Sequence, residues 1–133
     1  MYIYLQCKVH GIVNYLNNEL PKMNIENTKA QMRKGVLELC ILSLLDHGDA
    51  YPSEIIEKLK SARLIVVEGT LYPLLTRLKN EGVLSYRWEE SSMGPPRKYY
   101  NLTSSGKEFL NELLVGWQEL VDAVAMLTLP KKE

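Results

Sequence analysis

The stretch Glu68-Gly69-Thr70-Leu71-Tyr72-Pro73-Leu74-Leu75-Thr76-Arg77-Leu78-Lys79-Asn80-Glu81-Gly82 decides the fold. Leu71, Leu74, Leu75 and Leu78 recur at spacings of three and four, the period of one helical face. Thr70, Tyr72, Pro73, Thr76, Arg77 and Lys79 fall opposite them, and Gly82 is a natural stop. Beyond Gly82 the period shortens to two. Val83-Leu84-Ser85-Tyr86-Arg87-Trp88 and Arg97-Lys98-Tyr99-Tyr100-Asn101-Leu102 flank the turn-rich Ser91-Ser92-Met93-Gly94-Pro95-Pro96 and predict a hairpin. Neither Pro95 nor Pro96 can donate a ladder hydrogen bond, which assigns both to the loop.

Upstream, Val36, Leu37, Cys40, Ile41, Leu44 and Leu45 predict a mostly buried helix from about Asn27, with Thr28 as N-cap and a stop near Gly48. Pro52 suits the first turn of a second helix, whose inner face is Ile55, Ile56 and Leu59 and whose end lies near Ser61. Three short helices followed by a hairpin make a winged helix-turn-helix, with the third helix exposed for DNA reading and the hairpin as its wing. Downstream, Thr103 caps a last helix. Leu110, Leu114, Trp117, Val121 and Val124 alternate spacings of four and three along it, widened by Leu113, Leu120 and Leu127. Such a seam on a helix beyond the core needs a partner surface, and the same helix of a second copy supplies one.

The expected organisation is therefore mainly α with a small β-hairpin wing. Residues 24–103 are the winged helix-turn-helix domain, and 104–133 are a C-terminal dimerisation helix with a short tail. Residues 1–23 lack a clean period and are broken by Pro21. They read as translation from a start upstream of Met23, as an ordered arm, or as a functional extension.

The 133 residues suit one core plus an appended helix. Sixteen basic and sixteen acidic residues cancel, so overall charge gives no argument for a nucleic-acid partner. The balance shifts locally: Arg77, Lys79, Arg87, Arg97 and Lys98 outnumber Glu81, Glu89 and Glu90 between Gly69 and Thr103, and the last helix is acidic. Cys7 and Cys40 suggest no disulfide framework, and no apolar run reaches the roughly 18 residues of a membrane span. Without a secretory leader, the expected location is the cytoplasm. His10 and His47 have no companions at metal-ligand spacing, and no nucleophile elbow, phosphate loop or dinucleotide fingerprint occurs, so neither an enzyme nor a cofactor is expected.

Two blocks together carry a family resemblance. Glu68 to Leu84, with its Gly-Thr-Leu-Tyr-Pro helix start, and Gly94-Pro95-Pro96-Arg97-Lys98-Tyr99-Tyr100-Asn101-Leu102-Thr103-Ser104-Ser105-Gly106 resemble the PadR family of bacterial transcriptional regulators. The resemblance runs over roughly Met32 to Thr128. It implies a homodimeric repressor of double-stranded operator DNA, released by a small ligand or a stress signal, without catalysis. On matching positions, Thr70, Tyr72, Thr76, Arg77 and Lys79 would line the recognition helix, Arg97 and Lys98 would serve the wing, and Tyr51 would reach a phosphate.

Bland readings stand beside these roles. Tyr72 and Pro73 could simply shape the helix start, and one of Tyr99 and Tyr100 belongs to the core. In multidrug-binding members a tryptophan matching Trp117 stacks planar aromatic compounds between subunits. The plainer reading is that Trp117 only fills the dimer seam with Leu110, Leu113, Leu114, Leu120, Val121 and Val124. Tyr51-Pro52-Ser53-Glu54 departs from the glycine that many members place before the second helix. A winged-helix module that binds a protein or a small molecule, without DNA activity, is the alternative function.

Overall fold

The computed structural model describes residues 24–130. Its elements are α1 (Ile25–His47), α2 (Pro52–Ser61), α3 (Glu68–Asn80), β1 (Leu84–Ser91), β2 (Gly94–Leu102) and α4 (Ser104–Thr128). The N-terminal extension, residues 1–23, lies outside the described residues. The chain divides between Gln31 and Met32 into two units, and the core belongs to the second.

Pro52, Gly82 and Thr103 each set a helix boundary where the sequence places it. Pro52 opens α2, and the Glu54 carboxylate accepts the Tyr51 N–H at 3.2 Å. Gly82 ends α3 with φ near 80°: its N–H donates to the Lys79 carbonyl at 3.1 Å, and the Val83 N–H reaches back to the Leu78 carbonyl at 3.0 Å. This is a Schellman closure, and buried Leu78 and Val83 form its apolar contact. Thr103 caps α4 by accepting the Gly106 N–H at 2.9 Å. α1 differs from expectation. Its cap is Asn24, whose side chain accepts the Asn27 N–H at 3.1 Å, and Thr28 lies inside the helix.

Leucine and isoleucine from four helices fill the core. Leu37, Ile41, Leu42 and Leu45 of α1 meet Ile55 and Leu59 of α2, Leu71, Leu75 and Leu78 of α3, and Leu110 of α4. Val83, Leu84 and Tyr100 bring the base of the hairpin into the same cluster, so the wing is rooted in the core. Gly106 allows α4 to cross this base closely. A Cβ there would stand 2.1 Å from the Val83 carbonyl oxygen.

β1 and β2 pair antiparallel from Leu84↔Leu102 to Ser91↔Gly94. The strands run further than the sequence indicated, and Pro95 and Pro96 lie within β2, not in the loop. The register is irregular there: between the Glu89↔Arg97 and Ser91↔Gly94 pairs, both prolines oppose Glu90 alone. A bulge asks no ladder bond of them, which is how a strand tolerates proline. Ala50 adds a third, single-residue rung by exchanging two backbone hydrogen bonds with Tyr100, at 2.9 and 3.2 Å. No sequence pattern announced that pairing.

Candidate nucleic-acid interface

The site is built from the exposed side of α3 and the two faces of the wing. With Leu71, Leu75 and Leu78 fully buried, the helical repeat sends Gly69, Pro73 and Asn80 furthest outward, with Thr76 and Arg77 to either side of them. Tyr72 and Lys79 lie on the flank toward the wing, where the Lys79 ammonium is 5.8 Å from the Tyr86 ring centre. Thr70 and Arg77 lie on the opposite flank. A shallow open concavity on this outer side is lined by Tyr72, Pro73, Thr76, Arg77, Asn80 and Glu81. Gly69 and Asn80 were not among the residues expected from the sequence, although the leucine period already placed them outward.

Arg97 and Lys98 are neighbours in sequence and opposites in space, because successive strand residues alternate faces. Arg97 shares its face with Arg87, Glu89 and Tyr99. The Ala50 rung holds Tyr51 beside that face: the Tyr51 and Tyr99 rings meet edge-on at 5.2 Å, and the Arg97 guanidinium lies 4.4 Å from the Tyr51 ring centre. Arg87 stands 5.1 Å from Tyr99 and is paired to Asp49 and Glu89. The hydrogen bonds it donates, to Glu89 first and then to Asp49, hold its guanidinium more firmly protonated than usual.

Lys98 points to the other face, into a box of aromatic rings. Its ammonium lies 4.0 Å from Tyr86, 5.4 Å from Trp88 and 5.9 Å from Tyr100. Ring quadrupoles attract the cation there while its stem covers apolar surface. Of the pair Tyr99 and Tyr100, the core residue is Tyr100, and burial raises its hydroxyl pKa. Tyr86 and Trp88 belong to this face by strand alternation, although no motif in the sequence marks them as site residues.

Arg77 has no comparable freedom. Its Nη2 donates to Glu38 of α1 at 2.9 Å, and its Nη1 donates to both Glu81 oxygens at 3.1 and 3.3 Å. These bonds, Glu38 first, raise its pKa further.

Along α4 the expected seam splits. Leu110 is buried in this chain's own core and Leu113 packs against it. Leu114, Trp117, Leu120, Val121 and Val124 remain open, with Trp117 42% exposed. Among the described residues no cluster of His, Cys, Asp and Glu could hold a metal ion, and no helix is long and apolar enough to cross a membrane.

The transcriptional regulator PadR-like family model matches residues 41–112, which spans α2, α3, the wing and the first turns of α4. The chain belongs to the PadR-like family. A solved PadR-like transcription factor from Bacteroides fragilis is 63% identical, covering 77% of this chain and 99% of its own, with a TM-score of 0.65. A PadR family transcriptional regulator from Eggerthella lenta is 31% identical over 80% of this chain and 94% of its own, with a TM-score of 0.75. An uncharacterized protein from Lysinibacillus sphaericus is 31% identical over 72% of this chain and 91% of its own length. Membership of this family of transcriptional regulators implies a role in DNA-binding regulation.

Proposed function

We propose that this PadR-like regulator is a homodimeric repressor, acting in the cytoplasm and released from its operator by a ligand or stress signal. Residues 24–103 read the DNA and residues 104–133 hold the dimer. Two recognition helices enter successive major grooves of a near-palindromic site, with half-sites about one helical turn apart. Thr70, Tyr72, Thr76 and Lys79 meet base edges. Arg97, Lys98 and Tyr51 grip the flanking backbone.

The observation that carries this reading is that α3 exposes polar side chains directly beside a wing whose Arg97 and Lys98 are seated on aromatic rings. Seated cations lose less side-chain freedom on meeting phosphate than free ones do. The open stripe Leu114, Trp117, Leu120, Val121 and Val124 supports the dimer, since exposed apolar surface on one helix calls for a cover. With Leu110 in the core, the dimer seam begins at Leu114. Trp117 then faces the partner, where its indole packs the seam or stacks a planar aromatic inducer.

A gel shift with the DNA upstream of the protein's own gene tests the reading. Binding should be specific and should weaken steeply with salt, because phosphate contacts release counterions. A dimeric protein that shows no salt-dependent shift would sink the repressor. A reporter under that DNA should rise when the gene is deleted. In a Trp88→Phe background, quenching of Trp117 by planar cationic dyes separates ligand binding from plain packing.

A further inference from the structure

Within the reading of α3 as the recognition helix, we propose that Arg77 is a positioning residue that sets the helix on α1 through Glu38, and that Glu38 is thereby a determinant of operator specificity. Three observations meet in this assignment. First, Arg77 lies on the side of α3 away from the wing, while Thr76 lies on the wing side and Asn80 points outward between them. Second, its guanidinium already holds two carboxylates: Glu38 at 2.9 Å from a helix 39 residues upstream in sequence, and Glu81 at 3.1 Å one turn along α3. Third, Glu38 is itself only 28% exposed and comes from the same helix as the core residues Leu37, Ile41 and Leu42. Its carboxylate is therefore tied to the best-packed part of the molecule, and Arg77 is the arm that fastens α3 to it.

The same triad makes Arg77 a poor phosphate ligand. Two acidic groups surround one guanidinium, so the local charge is net negative, and an incoming phosphate at Arg77 would stand close to both carboxylates. Arg97 and Lys98 rest on neutral aromatic rings and carry no such penalty, Glu89 across the strand pair aside. A planar fork is suited to bracing two carboxylates from different directions at once, which a lysine ammonium does less well. By fixing the roll of α3 about its axis, the brace decides how Thr76 and its neighbours meet the base edges. A small roll misaligns base contacts while leaving backbone contacts largely intact.

The test compares Glu38→Gln, Arg77→Gln and the double variant of the full chain. Binding is followed by fluorescence anisotropy on a duplex selected by the wild-type chain from a random pool, and on an unrelated duplex. Both single variants should lose about five- to tenfold of the specific over non-specific affinity ratio, and the double variant should lose no more than either. The slope of log affinity against log salt should stay unchanged, because no phosphate contact has been removed. Arg77→Lys should recover part of the ratio. A merely structural loss would lower affinity for both duplexes together, and that outcome overturns the assignment. So does a slope reduced by about one in Arg77→Gln with Glu38→Gln unaffected or tighter, which would put Arg77 on the DNA. Wild-type protein that selects no duplex from the pool refutes the recognition-helix reading itself. In that case a thermal double-variant cycle between Glu38 and Arg77 still judges the brace, which zero coupling would overturn.

Discussion

Gly106→Ala should be among the most damaging single-methyl changes available to this protein. The added Cβ would lie 2.1 Å from the Val83 carbonyl oxygen and 2.9 Å from Leu102 Cδ1, about 0.9 Å inside the 3.0 Å that real contacts respect. Leu102 could rotate away, but Val83 is backbone and is held from both sides. Its N–H closes the end of α3, and its carbonyl accepts the Thr103 N–H at 3.1 Å and the Thr103 hydroxyl at 3.0 Å. Relief therefore requires α4 to move outward and stretch the Thr103 bonds. Overpacking costs about 1–3 kcal/mol and two weakened hydrogen bonds about 1 kcal/mol each, against roughly 0.5–1 kcal/mol gained by alanine in a helix. The net is about 2–4 kcal/mol, or a fall in Tm of roughly 10–25 °C for a domain of this size. Gly35→Ala, in the exposed face of α1 with nothing within 4 Å, is the control and should raise stability by about 0.5–1 kcal/mol. Differential scanning calorimetry at one fixed protein concentration measures both, because oligomers melt in a concentration-dependent way. If Gly106→Ala melts within 2 °C or so of wild type, the close crossing of α4 over Val83 is wrong.

Three further outcomes can be checked with the same material. Val67 holds the N-cap position of α3 with extended backbone and no side-chain cap, and it is 65% exposed; Val67→Ser should add about 1 kcal/mol of stability by chemical denaturation. Arg63 sits at φ 63° in the closure that ends α2, where its N–H meets the Lys60 carbonyl and the Leu64 N–H meets the Leu59 carbonyl. Arg63→Gly should therefore raise the denaturation midpoint, by an amount equivalent to about 1 kcal/mol, despite removing a side chain. Arg97→Ala should weaken binding to all duplexes alike and shallow the salt slope by about one, whereas Thr76→Ala should change the preferred sequence; equal effects on preference would contradict that division.

Much of this architecture could be read from local signals. Pro52, Gly82 and Thr103 each act within a turn of their own position, and the helix boundaries they set agree with the pattern of leucines. The pairings that escaped are non-local. The Ala50 rung depends on Tyr100, fifty residues away in sequence, and Arg77 looks like a free surface cation until folding brings Glu38 to it. The prolines of β2 read as loop residues because a strand normally needs their missing N–H, and only the register shows a bulge that does not. Asn24 and Thr28 are both good caps, one turn apart, and composition alone does not choose between them. For the interface, the candidate residues were visible as types, but their partners, and so which cations remain available, were not.

Because Arg97 and Lys98 take opposite faces of one strand, which cation meets which surroundings is a matter of counting as much as of charge. A tip one residue longer or shorter can be absorbed at the Glu90 bulge, leaving Arg97 against Tyr51 and Lys98 among its three rings. If the change instead slips the pairing by one, every side chain of β2 turns over. The composition would be untouched and the two seats exchanged. Insertions and deletions in this hairpin are therefore a more drastic kind of variation than substitutions, and alignments of wings should be judged by their parity before their basic residues are compared.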